Sequence, residues 1–353
     1  TLQEFAKAAR ENLDQNSWDY LFGAAETETT CRRNRLALDT MGFRPRVLRN
    51  VENVNVGTEF LGTKLNLPVV LAPIGSMQDF HEGAGAVPTQ AAAEYGCLHM
   101  LSSVCAPGLE AVAAAAPDYP KIFQLYVRGD PDFVDDHAKR AIDNGYIAFA
   151  FTIDLDYYSR RERDLAKRYV TTGRRLAGHN EEHQKRFNWD DVKRVQDKFD
   201  IPIILKGIAT AEDAAIAIEN HIEVVYVSNN GGRQLDHGRG ALDVLPEVVK
   251  AVDGKAKVML DGGIMRGADI VKAMALGADA VGMGRFQGMA VAAGGVPALV
   301  RALEILESEV RAAMGMLGVT NYAELNSSYL HPGSKEVRDP HVLSCFPLIE
   351  EGY

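Results

Sequence analysis

The chain has 353 residues, 46% hydrophobic and 24% charged, a balance that excludes collagen-like, coiled-coil and disordered sequences. It can bury a large core without disulfide or metal staples, and its length suits two domains or one α/β barrel. With 38 Lys and Arg against 48 Asp and Glu, the net charge is -10, which disfavours nucleic acid as a general partner but leaves room for a small anion in a local basic pocket. No apolar run approaches the ~20 residues that span a bilayer, so no membrane span is expected. Thr1-Leu2-Gln3-Glu4-Phe5 lacks the basic start and apolar run of a signal peptide. Cys31, Cys97, Cys105 and Cys345 are scattered without CxxC or metal-ligand spacing. They read as buried thiols of a cytoplasmic protein with no metal site.

Residues 1–67 read as an N-terminal extension of helices that closes the bottom or side of the main domain. From about 68 to 312, short apolar runs alternate with longer amphipathic stretches. The runs lie at 68–72, 98–101, 122–126, 147–152, 202–205, 224–227, 258–260 and 280–283. Their nearly continuous hydrophobicity fits strands buried on both faces of a parallel sheet. Helical patterns fill most gaps, such as 211–218 with Thr210 as N-cap and 268–275 ended by Gly277. Eight such units predict a single-domain (β/α)8 TIM barrel over 68–318 rather than an open doubly wound sheet. Within it, the polar stretch 155–188 reads as a long loop after the fourth strand, either a lid over the mouth or a solvated loop. The stretch 298–318 reads as one amphipathic helix, and 319–353 as an irregular tail reaching a neighbouring subunit.

Functional residues of such barrels sit at the C-terminal strand ends, and several ends here are polar. They are Gln124-Leu125-Tyr126, Thr152-Ile153-Asp154 with Arg160-Arg161 beyond, Lys206-Gly207, and Ser228-Asn229-Asn230-Gly231-Gly232-Arg233-Gln234. Lys206 can simply snorkel to water, but beside the other polar ends it points to a shared ligand. The last two strands end in Asp261-Gly262-Gly263 and Gly282-Met283-Gly284-Arg285. Glycines that admit close backbone approach, with a guanidinium beside them, fit a phosphate-bearing cofactor or substrate.

The run 228–236, with Asp261-Gly262-Gly263 and Gly284-Arg285, resembles the FMN-dependent α-hydroxy-acid oxidase and dehydrogenase family, which includes glycolate oxidase, lactate oxidase and mandelate dehydrogenases. Trp18-Asp19-Tyr20, Phe43-Arg44-Pro45-Arg46, Ala72-Pro73, Leu101-Ser102-Ser103, Gln124-Leu125-Tyr126, Arg160-Arg161-Glu162 and Leu205-Lys206-Gly207 match its order and spacing, so the likeness covers nearly the whole chain. The resemblance implies an FMN across the barrel mouth. Ala72 and Pro73 would line its ring, Ser102, Gln124 and Thr152 would bond the ring edge, and Lys206 would stabilise the reduced form. Ser228 belongs with these cofactor residues, and Asp261, Gly263, Gly284 and Arg285 would take the ribityl chain and phosphate. Arg161 and Arg233 would hold a substrate carboxylate, helped by the hydroxyls of Tyr20 and Tyr126. The family also implies a homo-oligomer, commonly a tetramer, and reoxidation by oxygen or another acceptor.

The chain departs from that family where its catalytic histidine belongs: the residue is Asn230, and an amide cannot act as a general base. Asp154 stands where the family has the carboxylate that orients the histidine. His237, seven residues on, has no reason to point at a flavin. Tyr157-Tyr158 replace the usual small residues and imply an altered pocket. Met265 occupies the place of a phosphate-pairing arginine, with Arg266 after it, a loss of roughly 1.5–3 kcal/mol in charge-assisted bonding. The expected reaction is therefore oxidation of a 2-hydroxy acid or derivative by hydride transfer helped by Asp154 or a water. Divergent flavin chemistry (amine or carbon–carbon oxidation, oxygenation, isomerisation) and a silent flavin- or ligand-binding protein remain open, as does a Schiff base on Lys206.

Overall fold

The computed structural model describes residues 1–177, 182–335 and 338–352. Eight parallel strands close into a barrel. They are β1 (Val69–Leu71), β2 (Leu98–Ser102), β3 (Lys121–Leu125), β4 (Tyr146–Thr152), β5 (Ile203–Ile208), β6 (Val224–Val227), β7 (Lys257–Leu260) and β8 (Ala280–Met283). The ring closes where β8 pairs with β1, Val281 opposite Val69 and Met283 opposite Leu71. Strand periodicity sends alternate residues inward: Leu98 and Met100, Ala148 and Ala150, and Val224 and Tyr226 share one buried interior cluster. The intervening residues pack outward against helices in the main core. Thr210 caps the helix Ala211–Glu219 by accepting from the Asp213 N–H, as its sequence predicts.

The extension does more than the sequence reading assigned to it. An antiparallel hairpin, Thr58–Phe60 with Thr63–Leu65, sends Phe60 and Leu65 into the interior cluster beside the strand starts and so plugs the bottom. Its turn residues Leu61 and Gly62 have φ of 49° and 71°, the left-handed pair that a tight hairpin requires. Helix α1 (Leu2–Asn12) packs on the terminal helix Arg285–Leu317, whereas α2 (Gln15–Phe22) and α3 (Thr29–Asp39) climb to the C-terminal mouth. Arg35 of α3 is 3% exposed and grips Asp269 through two bonds of 2.9 and 2.7 Å. Removing one member of a buried pair strands the other charge, so Arg35→Met is expected to lower unfolding free energy by about 3–5 kcal/mol. A urea titration reads this directly, and a loss within experimental error would mean that water already reaches Asp269.

Two expectations need correction, one on the stretch 155–188 and one on the apolar terminal run. The stretch 155–188 is not simply a loop: it holds helices Glu162–Ala166, Thr172–Ala177 and Glu182–Arg186, each too short to show a helical period in sequence. Residues 178–181 of it lie outside the described residues. The run Arg285–Leu317 is two helices either side of a break at Gly294 and Gly295: the second is the one expected from about 298, and the first, from Arg285, is additional. By length and composition Arg285–Leu317 is apolar enough to cross a membrane, contrary to the expectation that no such stretch exists. Half of its most apolar stretch is buried within the protein. The tail, largely irregular as expected, also packs on its own chain: Leu330–His331 pairs with Gly42–Phe43, and Phe346 lies 5.8 Å from Phe286, ring to ring. Its buried apolar residues, Tyr329, Leu330, Val342 and Phe346, explain why.

Candidate active site

A cavity opens at the C-terminal strand ends, and its floor holds Lys206, 2% exposed at the end of β5. Its Nζ donates to Ser228 Oγ at 3.2 Å and Asn230 Oδ1 at 3.1 Å, with Asp261 Oδ2 at 3.7 Å. Ser228 Oγ in turn donates to Asp261 Oδ1 at 2.6 Å. Burial favours the neutral amine, but Asp261 and Asp154 outweigh it and raise the Lys206 pKa. A lysine held charged in this way is unsuited to Schiff-base chemistry, which needs the free amine. Gly207 behind it has φ 129°, and a Cβ there would meet Asp154 Cβ at 2.9 Å, so the close approach of β4 and β5 ends depends on that glycine.

Both carboxylate oxygens of Asp154 are buried and accept no hydrogen bond. Burial raises this carboxyl to about 6, with Lys206 pulling it down and Asp261 pushing it up. Asn230 lines the cavity with φ 51°, a conformation that asparagine tolerates. Its N–H donates to Ser228 Oγ at 3.0 Å, and its amide oxygen faces the Lys206 ammonium. His237 is far more exposed, pairs with Asp236 at 3.9 Å, and does not line the cavity.

Arg161 and Arg233 face the same cavity with Tyr20 and Tyr126. Arg233 Nη1 donates to the carbonyls of Tyr20 and Gly23, both at 2.7 Å, and its guanidinium lies 4.8 Å from the Tyr20 ring centroid. Those carbonyls close the C-terminus of α2, where a cation is favoured. Burial, then Arg161, lower the Arg233 pKa to about 10, which leaves it charged at neutral pH. Arg161 is 9% exposed, its Nε has no partner, and it stacks 4.6 Å from the Tyr158 ring centroid. Burial raises the Tyr20 and Tyr126 phenols, so both remain hydrogen-bond donors.

At the other end, Gly262 and Gly263 adopt φ of 104° and 91°, and a Cβ on Gly284 would meet nothing within 4 Å. Arg285 lines this end while donating to the carbonyls of Phe22, Gly231 and Gly23 at 2.8–3.1 Å. Met265, 3% exposed, lines the wall. Arg266 turns away to Glu309 at 2.5 Å and does not replace the missing cation. Sequence reading missed Asn34 and Arg35, which α3 brings to this end, and Gln184, which accepts from Val127 N–H at 2.8 Å. Nothing in an N-terminal helix or a charged stretch signals such tertiary contacts.

Ala72 and Pro73 form the wall above β1. Ser102, Gln124 and Thr152, at the ends of β2, β3 and β4, are each at most 2% exposed and do not themselves line the cavity. The Gln124 amide nitrogen and oxygen and the Thr152 hydroxyl have no hydrogen-bond partner within the protein. Buried amides are almost always bonded, so a donor–acceptor edge left open at adjacent strand ends fits a flat heterocycle with polar edges. Among the described residues, no cluster of His, Cys, Asp or Glu could hold a metal ion, and the four cysteines are free.

An eight-stranded parallel barrel with this open polar edge, a buried lysine and glycines at its last two strands fits a barrel enzyme that holds a phosphate-bearing, flat cofactor at its mouth. The chain belongs to the FMN-dependent dehydrogenase family, whose model matches residues 9–332. An L-lactate oxidase of Nostoc sp. is 35% identical over 355 residues, covering 94% of this chain and 97% of the relative. A glycolate oxidase 3 of Arabidopsis thaliana is 33% identical and covers 98% of both chains. Among solved structures, mandelate oxidase with (S)-4-hydroxymandelic acid superposes with a TM-score of 0.88 at 32% identity, over 95% of this chain and 99% of the other. A mandelate oxidase variant with the C4a-OH-FMN adduct gives 0.85 at 33%, over 94% and 99%. FMN is the cofactor, and the chain is an FMN-dependent α-hydroxy-acid oxidoreductase.

Proposed function

We propose that this chain oxidises a small 2-hydroxy acid to the corresponding 2-oxo acid, with oxygen or another acceptor completing the cycle. The observation that carries this reading is the pair Arg161 and Arg233, neither ion-paired with a carboxylate among the described residues, facing one cavity with Lys206 and two protonated tyrosines. Two guanidinium forks and two phenol donors match a carboxylate beside a hydroxyl.

FMN, when bound, supplies a two-electron acceptor whose reduced form a nearby cation stabilises. Gln124, Thr152 and Ser102 would hold its ring edge, Ala72 and Pro73 its face, and Lys206 with Ser228 its charged side. Asp261, Gly263, Gly284 and Arg285 would hold the ribityl chain and phosphate, with Arg285 exchanging carbonyl partners for the anion. The substrate hydroxyl proton would pass to Asp154 through one water, because Asn230 has no basic atom and Asp154, buried behind the lining, does not itself face the cavity. Asn230 then acts by fixing the Lys206 ammonium rather than by accepting a proton. We propose a homo-oligomer on the strength of the family likeness, and a cytoplasmic location because the four cysteines are free thiols.

The test is anaerobic mixing of the yellow holoprotein with a panel of 2-hydroxy acids. Bleaching of the flavin absorbance by at least one member is expected. A panel that leaves the flavin oxidised throughout contradicts the reading and favours a silent flavin-binding protein.

A further inference from the structure

β5 and β6 pair with Lys206 opposite Tyr226, so both side chains point into the barrel, side by side. Tyr226 is 0% exposed and lies in the interior cluster with Met100, Ile204 and Met259. The Lys206 Nζ stands over its ring, 5.5 Å from the centroid. The ammonium thus has Ser228 Oγ, Asn230 Oδ1 and the Asp261 carboxylate on its polar sides and an aromatic face on another. A cation removed from water is drawn to such a face by the ring quadrupole. Burial, then Asp261, raise the Tyr226 phenol, so it stays neutral and the attraction comes from the ring.

Packing alone does not require a tyrosine here. Its hydroxyl is buried and has no hydrogen-bond partner within the protein, a costly state among apolar side chains. The hydroxyl acts instead as a wedge. A Cβ on Gly282 of β8 would lie 1.9 Å from Tyr226 Oη and 3.0 Å from Cζ. Any side chain at 282 would claim the space the hydroxyl fills, so this glycine lets the ring reach from β6 across β7 to β8. Asp261 Cβ lies 3.1 Å from the same point, which sets the ring beside the acid that pairs with Lys206.

We propose that Tyr226 is a positioning residue: its ring, wedged into the space at Gly282, seats the Lys206 ammonium and so raises the reduction potential of the bound FMN. A cation beside the flavin stabilises its reduced form, and a lysine that leaves its seat does so less well. This rests on the placement of Lys206 at the charged side of the flavin, not on the identity of the substrate.

Equilibration of the holoprotein with a redox dye of known potential reads this without substrate. Tyr226→Leu removes the ring and is expected to shift the flavin about tenfold toward its oxidised form, a fall of about 30 mV for two electrons. Tyr226→Phe keeps the ring and is expected to stay within about twofold of the wild type. Gly282→Ala displaces the ring without altering it and is expected to match Tyr226→Leu. Combining it with Tyr226→Phe, which removes the colliding oxygen, is expected to restore the wild-type balance. Lower stability of Tyr226→Leu at an unchanged potential reduces the ring to packing and overturns the proposal. So does an equal fall in Tyr226→Phe, or a fall in Gly282→Ala that the double variant does not relieve. Lys206→Met separates the proposal from the placement it rests on. An unchanged potential there removes Lys206 from the flavin, and the proposal with it. A fall in Lys206→Met with none in Tyr226→Leu overturns the proposal alone. Failure of every hydroxy acid to bleach the flavin would remove the oxidation reading and leave these potentials as they are.

Discussion

Replacing Asn230 by histidine is expected to accelerate flavin bleaching by a 2-hydroxy acid about a hundredfold to ten-thousandfold, the range a positioned general base contributes. The backbone accepts the change, since φ at this position is 51° and histidine is among the residues that enter this region. The new imidazole meets a ready partner in Asp154, whose carboxylate oxygens are buried and unbonded. An imidazolium beside that carboxylate favours its charged form and lowers its pKa from about 6. Lys206 loses one acceptor but keeps Ser228 and Asp261. Single-turnover mixing in the absence of oxygen gives the comparison. An unchanged rate would mean that proton removal does not limit the wild-type reaction.

The opposite change, Asp154→Asn, is expected to slow bleaching about a hundredfold or more, and to alter the pH profile in a way a merely structural role would not. In the wild type the proton acceptor must be ionised, so the rate rises as pH passes through about 6 and then levels. The variant loses that limb. Stability responds with the other sign. The folded-state pKa lies above the ordinary 3.8, so this group's contribution is fully present below about 4 and is lost as pH rises through about 6. The substituted amide carries no such charge, and the variant is expected to melt higher than the wild type at about pH 8 while losing activity. Lower stability together with an unchanged pH profile would reduce Asp154 to a structural residue.

The barrel was legible because strands buried on both faces need unbroken apolar runs, and Val69–Leu71, Phe149–Phe151 or Val224–Val227 supply them. The polar strand ends were legible for the converse reason: a lysine after Ile203-Ile204-Leu205, or a serine after Val227, breaks a pattern that packing alone would continue. Three-residue strands such as Thr58–Phe60 carry too little alternation to be seen, although they plug the barrel. Arg285 shows the limit differently. Its position beside Gly284 is readable, but the three carbonyls it binds come from the end of α2 and from Gly231, far away along the chain. Arg174, which lines the cavity, looks like an ordinary surface charge in sequence, and only the folding of Thr172–Ala177 against Ser76 and Asp79 brings it there.

The most direct test of oxidation without a histidine base is the rate of anaerobic flavin bleaching by one reactive 2-hydroxy acid, measured in the wild type across about pH 5 to 8. The expected result is bleaching whose rate climbs through the Asp154 ionisation at about 6 and then holds steady. Bleaching at a rate independent of pH would contradict the assignment of Asp154, and no bleaching at any pH would contradict the reaction itself.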